Sequence, residues 1–154
     1  MIHQTFNFLI RIDTGDGGPL CEAAFAECTG LEMSAATKTI REGGNNAGPV
    51  HLTGPITYGT LALKRGMSET FDLWTWFEDV YRDGGQHQRA ECEIEVRTPD
   101  RTATAYSLSL TGCLPVKLKA ADLNAREGGI AIEEIEIAYQ GMRMVPPTGR
   151  DQGA

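Results

Sequence analysis

Apolar and polar positions alternate along most of this chain. Phe6, Phe8, Ile10 and Ile12 interleave with Asn7, Leu9, Arg11 and Asp13, and this period of two predicts a strand. The cluster Gly15-Asp16-Gly17-Gly18-Pro19 ends it with a turn. A second strand is expected over Cys21 to Glu27, a break at Thr29-Gly30, and a third strand from Leu31 to about Arg41. Helix competes over Leu20 to Arg41 on its alanines, but the β-branched Thr37, Thr39 and Ile40 favour strand. One further strand is expected over Ile56 to Lys64. Cys92, Ile94 and Val96 alternate with Glu91, Glu93 and Glu95, and the turn Thr98-Pro99-Asp100-Arg101 leads to a partner carrying Tyr106, Leu108 and Leu110. Pro115 to Leu123 reads as a shorter strand. Beyond Gly128-Gly129, Ile130 and Ile132 share one parity while Ile135, Ile137 and Tyr139 share the other. That switch at Glu133-Glu134 predicts a β-bulge or a change of partner.

Two segments depart from the alternation. Residues 42–55 crowd Gly43, Gly44, Asn45, Asn46, Gly48, Pro49, Gly54 and Pro55, a density of breakers that predicts an extended loop arm. The other, about residues 69–82, follows the corner Lys64-Arg65-Gly66 with a helical pattern, for which Ser68 is the candidate N-cap. At 100° per residue the apolar arc of this helix, Phe71 included, covers about 220°, whereas a one-sided surface helix needs ~100°. Each large aromatic buries ~150–250 Å², worth ~4–6 kcal/mol at most. One sheet face covers about half the circumference of such a helix, so the remainder falls to a loop of the same chain or to another subunit. The pattern gives seven or eight strands and one helix: a mainly β fold, an antiparallel barrel or sandwich with the helix packed on it. Residues 1–145 form a single domain, and the tail 146–154 has little apolar to bury and is expected to be disordered.

Composition narrows the function. The chain has 154 residues, 41% hydrophobic and 23% charged, which suits one folded domain. A net charge of −7 disfavours a nucleic-acid surface and fits solubility, or an inner surface that repels acidic cargo. No run approaches the ~20 apolar residues of a membrane helix, and the N-terminus reads as a strand and not a signal peptide. Cys21, Cys28, Cys92 and Cys113 match no zinc or redox spacing and are expected to be reduced, mostly buried, in a cytosolic protein.

Catalytic chemistry finds little support. His3, His51 and His87 are isolated, and no nucleophile elbow, zinc motif or phosphate loop is present. No catalytic, cofactor or metal residue is expected. Glu91, Glu93 and Glu95 share one strand face, opposite Thr102, Thr104, Ser107 and Ser109 across the hairpin. Such a face meets bulk water or lines a wet channel; a carboxylate hydrolase and a small-molecule-binding barrel are the rival readings. Lys64 and Arg65 form a solvated corner or pair with an acidic neighbour.

Several stretches, in order, resemble the tail-tube proteins of contractile phage tails and extracellular contractile injection systems. They are FNFLIRID, Phe25-Ala26-Glu27-Cys28-Thr29-Gly30-Leu31-Glu32, Ile40-Arg41-Glu42-Gly43-Gly44, Leu61-Ala62-Leu63-Lys64-Arg65-Gly66 and the closing Pro115-Val116-Lys117, Asp122-Leu123-Asn124-Ala125 and Ile130 to Ile137. Two departures stand out: no lysine in Thr53 to Gly59, and Cys113-Leu114 where an aromatic is common. The resemblance implies an Hcp-like β-barrel subunit, hexameric rings, and rings stacked into a hollow tube. Its partners would be copies of itself, a sheath, spike and baseplate proteins, a terminating cap and a lumen cargo. Assembly in the cytoplasm as part of an injection particle is implied, without direct membrane insertion. Glu42, Gly43, Gly44, Asn45, Asn46, Lys64, Arg65, Phe71 and Trp74 become candidates for inter-subunit and stacking contacts. Glu91, Glu93, Glu95, Ser107 and Ser109 become candidates for the lumen.

Overall fold

The computed structural model describes residues 7–15, 19–40, 50–66, 71–82, 89–98, 103–120 and 132–146. Ten strands and one helix lie among them: β1 (Asn7–Asp13), β2 (Pro19–Ala24), β3 (Glu27–Thr29), β4 (Met33–Ile40), β5 (Val50–Tyr58), β6 (Thr60–Gly66), α1 (Asp72–Arg82), β7 (Ala90–Arg97), β8 (Thr104–Lys119), β9 (Ile132–Ala138) and β10 (Gly141–Val145). Eight strands form one sheet in the order β2-β1-β7-β8-β9-β6-β3, with β10 also on β8, and all pairs are antiparallel. Among the described residues β4 and β5 pair only with each other. The mainly β, antiparallel class expected from the alternation holds. The sheet itself stays open: β2 and β3 stand at its two ends, joined in sequence by Phe25 and Ala26.

β8 makes the corner. Its first part pairs with β7 on one side and β10 on the other, and its last residues, Leu114 to Lys119, pair with β9. Gly112, at φ 64°, makes the bend, and Gln140 N–H donates to the Thr111 carbonyl at 2.9 Å beside it. One limb of the sheet is therefore β2-β1-β7-β8-β10. The other is the end of β8 with β9, β6 and β3. The sequence places separate strands at Tyr106–Thr111 and Pro115–Leu123; they are one 16-residue strand, because a single glycine bends it without ending it.

The inward faces of both limbs build the core. Ile10, Ile12, Leu61, Leu63, Ile94, Leu110, Ile135 and Ile137 are buried there, with Leu73, Trp76 and Val80 from α1 packed against them. The helix opens at Asp72, with Thr75 N–H donating to the Phe71 carbonyl at 3.0 Å. The expected cap Ser68 lies outside the described residues, as do residues 147–154 of the tail.

Three further expectations change. The strand expected over Ile56 to Lys64 is two strands, parted at Gly59. The arm expected over residues 42–55 is partly strand: Val50 to Pro55 belong to β5. β5 tolerates Gly54 and Pro55 because it has one partner only, and the two residues face Ala36 alone in a bulge between Ala35↔Ile56 and Thr37↔Thr53. Glu42 to Asn46 lie outside the described residues. Finally, β9 carries no bulge at Glu133-Glu134; its pairing with β6 runs unbroken from Ile132 to Ala138. Glu133 takes the inward position and Ile132 faces out. The irregularity lies on the neighbouring strand, between Pro115 and Lys117 of β8, where they face Ile137 and Glu136.

Candidate assembly surfaces

Glu133 explains the parity switch. It is 1% exposed, and Arg65, inward on the facing strand β6, is 5% exposed. Arg65 Nε donates to Glu133 Oε1 at 2.7 Å, and Trp74 Nε1 donates to the other oxygen, Oε2, at 3.2 Å. A second arm of the Arg65 guanidinium pairs with Asp72 at the start of α1, and its carbon sits 5.2 Å over the Phe25 ring. A buried carboxylate and guanidinium are tolerable only when paired and hydrogen-bonded like this. The cluster ties β6, β9 and α1 into one joint.

Four of the candidates lie at or beside that joint. Arg65 is paired inside its own chain, with Glu133 and Asp72. Lys64 points outward and pairs with Glu27 at 3.6 Å. Trp74 is half-buried by its bond to Glu133. Phe71, at φ 53°, is 51% exposed. With Phe77 half-buried and Tyr81 exposed, the helix keeps an aromatic stripe that the described residues do not fully cover. Tyr81 tethers its end, donating to the Pro115 carbonyl at 2.5 Å.

The hairpin β4–β5 leaves the sheet at Gly30–Glu32 and Gly59. Tyr139, inward at the end of β9, holds this root: its hydroxyl lies 2.8 Å from the Gly30 carbonyl and accepts from Glu32 N–H at 3.1 Å. Its ring meets Tyr58 at 5.4 Å. Gly30, at φ 92°, passes so close that a Cβ would stand 1.8 Å from the Thr60 carbonyl oxygen. Beyond this root the hairpin is exposed on both faces. Met33, Ala35 and Ile56 line one of them, with Met33 56% and Ile56 53% exposed. An isolated two-stranded hairpin is at best marginal in water.

Glu91, Glu93 and Glu95 do share the outward face of their limb, with Ser107 and Ser109 opposite Glu95 and Glu93. Thr104 donates to Glu95 at 2.5 Å, and Thr102 lies outside the described residues. The face is not purely acidic. Arg11 stands opposite Glu93, Arg143 opposite Ser109, and Arg97 Nε lies 3.4 Å from Glu95. The chain's negative charge is therefore offset locally.

The profile of the T4-like virus tail tube protein gp19 family matches residues 4–143. The chain belongs to that family. It is a structural tube subunit with an Hcp-like fold. A chain of the anti-feeding prophage baseplate, determined with six-fold symmetry, is 26% identical, with a TM-score of 0.77 over 95% of this chain and 97% of that one. The fold also matches a chain of the PVC sheath-tube complex, an extracellular contractile injection system in its extended state, at 18% identity and TM-score 0.75, covering 90% and 88%. An Hcp protein shares the fold at 10% identity and TM-score 0.55, covering 90% and 89%. A comparison with curated proteins found no match.

The family's sequence elements now have physical causes. In the Phe25 to Glu32 element, Phe25 underlies Arg65, Glu27 pairs with Lys64, Gly30 permits the close crossing, and Glu32 anchors to Tyr139 and, through its carbonyl, to Gly59 N–H at 3.1 Å. Asp72, Glu133 and Tyr139 carry this geometry and are not among the candidate contact residues read from the sequence. The parity switch at Glu133 signals its inward turn; Asp72 and Tyr139 give no comparable sign. Cys28 and Cys113 are not disulfide-bonded, and burial pushes the Cys28 thiol up to about 11, so it stays protonated at neutral pH.

Proposed function

We propose that this tube subunit assembles into hexameric rings that stack into the inner tube of a contractile injection particle. A sheath would surround the tube, a baseplate and spike would stand at one end and a cap at the other, with cargo passing through the lumen. The role is structural and involves no catalysis. Assembly takes place in the cytoplasm, as part of a phage tail-like particle.

The observation that carries this reading is the β4–β5 hairpin, folded yet exposed on both faces, with Met33 and Ile56 in solvent. Docking on a neighbouring copy removes that apolar area from water. In this reading Lys64 and the Phe71–Trp74 stripe extend the contact, with residues 42–46, which lie between β4 and β5 in sequence, as further candidates, and the face of Glu91, Glu93, Glu95, Ser107 and Ser109 lines the lumen. Negative-stain microscopy of the purified protein should show rings or tubes; a strict monomer at high concentration contradicts the reading.

A second reading places the subunit in a ring beside the baseplate and not along the whole tube. It is favoured by 26% identity to a baseplate chain against 18% to a sheath-tube chain. Counting copies per purified particle by quantitative mass spectrometry separates them: one or two rings' worth supports the baseplate position, many rings' worth the main tube.

A further inference from the structure

Met33 stands where the arm leaves its root. Its neighbour in sequence is fixed: Glu32 N–H donates to the Tyr139 hydroxyl at 3.1 Å, and the Glu32 carbonyl accepts from Gly59 N–H at 3.1 Å. The backbone therefore holds Met33 in place, paired with Tyr58, while its side chain is 56% exposed. Ala35 and Ile56, the next pair on the same face, continue the apolar patch, with Ile56 53% exposed. The other described methionines sit elsewhere. Met142 is half-buried against the core, and Met144, 63% exposed, lies on β10 and outside the arm. Among the described residues, Met33 is the methionine that combines an open thioether with a patch whose burial the tube reading requires. A thioether in water is open to oxidation, and the sulfoxide it gives is polar.

We propose that Met33 is a peroxide-sensitive modification site that switches the free subunit between an assembling and a non-assembling form. The proposal rests on the tube reading and adds a chemical control to it. The Met33 sulfur attacks one oxygen of hydrogen peroxide, the O–O bond breaks and an S–O bond forms. Sulfur loses two electrons to the peroxide, the proton on the transferred oxygen passes to the leaving hydroxide, and water departs. The fold tolerates the product, because the side chain of the free subunit already lies in water. Docking does not. The new sulfoxide oxygen would lose its water on a patch of Ala35 and Ile56, which offers no side-chain donor in return. Methionine sulfoxide reductases reverse the step, so the block is a switch. Once the arm is docked the sulfur is covered, so formed tubes resist the same oxidant.

The test treats the full chain with hydrogen peroxide, as free subunit and as formed tubes. Peptide mass spectrometry reads oxygen gained at Met33, and sedimentation velocity reads the concentration for half-assembly. The free subunit should gain one oxygen at Met33 and then need at least about tenfold more protein to assemble, with an unchanged melting temperature. Reduction by a methionine sulfoxide reductase should reverse the loss. In Met33→Leu, peroxide should change the half-assembly concentration by less than about twofold from that variant's own untreated value, since the one sensitive sulfur is gone. Met33 in formed tubes should oxidise at least about fivefold more slowly than in the free subunit. Normal assembly of subunits oxidised at Met33 overturns the switch. So does an equal loss in Met33→Leu, an equal oxidation rate in tubes, or a loss of assembly that comes only with a lowered melting temperature. An untreated wild-type protein that stays monomeric overturns the tube reading itself, which distinguishes the two failures.

Discussion

The corner joint and the hairpin arm solve opposite problems a short distance apart in sequence. At the joint, Arg65, Glu133, Asp72 and Trp74 bring charge into the core and satisfy it there. In the arm, Met33, Leu52 and Ile56 leave apolar surface in water. Destabilising the first should cost folding, because its partners are all in the same chain. Altering the second should cost assembly, because in the proposed tube a neighbouring copy covers that surface. That division is testable by separating stability from association.

The largest effect is expected at the joint. Glu133→Ala strips Arg65 of a buried partner and should destabilise the subunit by ~3–5 kcal/mol in urea unfolding. The double replacement Arg65→Met with Glu133→Leu should be less damaging than either single change, since no buried charge is stranded except Asp72, which is partly exposed. Gly30→Ala comes next: a positive φ and a Cβ pressed on the Thr60 carbonyl should cost ~1–3 kcal/mol, seen as a lowered melting temperature. Tyr139→Phe releases the arm's root from Gly30 and Glu32 and should cost ~0.5–1.5 kcal/mol, with faster amide exchange at Glu32. Smallest for folding is Met33→Ser with Ile56→Ser, within ~0.5 kcal/mol, since both are exposed. The same double variant should abolish rings or stacked tubes by negative stain. A loss of melting temperature there as large as at Glu133 would erase the contrast between the two regions.

Burial also sets a pH limit. The Cys28 thiol is raised from 9.0 to about 11 by desolvation, so the folded state holds its proton more tightly than the unfolded chain. Its contribution is complete below pH 9 and fades as pH rises toward 11. Cys28→Ala should flatten this part of the stability profile relative to wild type, measured as the difference between the two melting curves.

Alternation and the turn clusters were enough to place most strands, the helix and the antiparallel class, because a period of two follows directly from one face being buried. The shared outward face of Glu91, Glu93 and Glu95 was equally legible. Family elements such as Thr29-Gly30 and Leu63-Lys64-Arg65-Gly66 marked the right places but not their partners. Arg65 read as a surface corner because its mates, Glu133 and Asp72, are brought to it by strand pairing and helix docking.

By itself, then, the amino-acid order determined local periodicity, the helix with its excess of aromatic surface, and a net charge of −7. The tertiary structure alone decided three things. It carried β8 through Gly112 as one bent strand, because pairing on both sides of the bend outweighs the break. It extended β5 into the glycine- and proline-rich stretch, because a strand with one partner can bulge. It turned Glu133 inward and Ile132 outward, because a paired and hydrogen-bonded charge can hold a core position that hydropathy assigns to isoleucine.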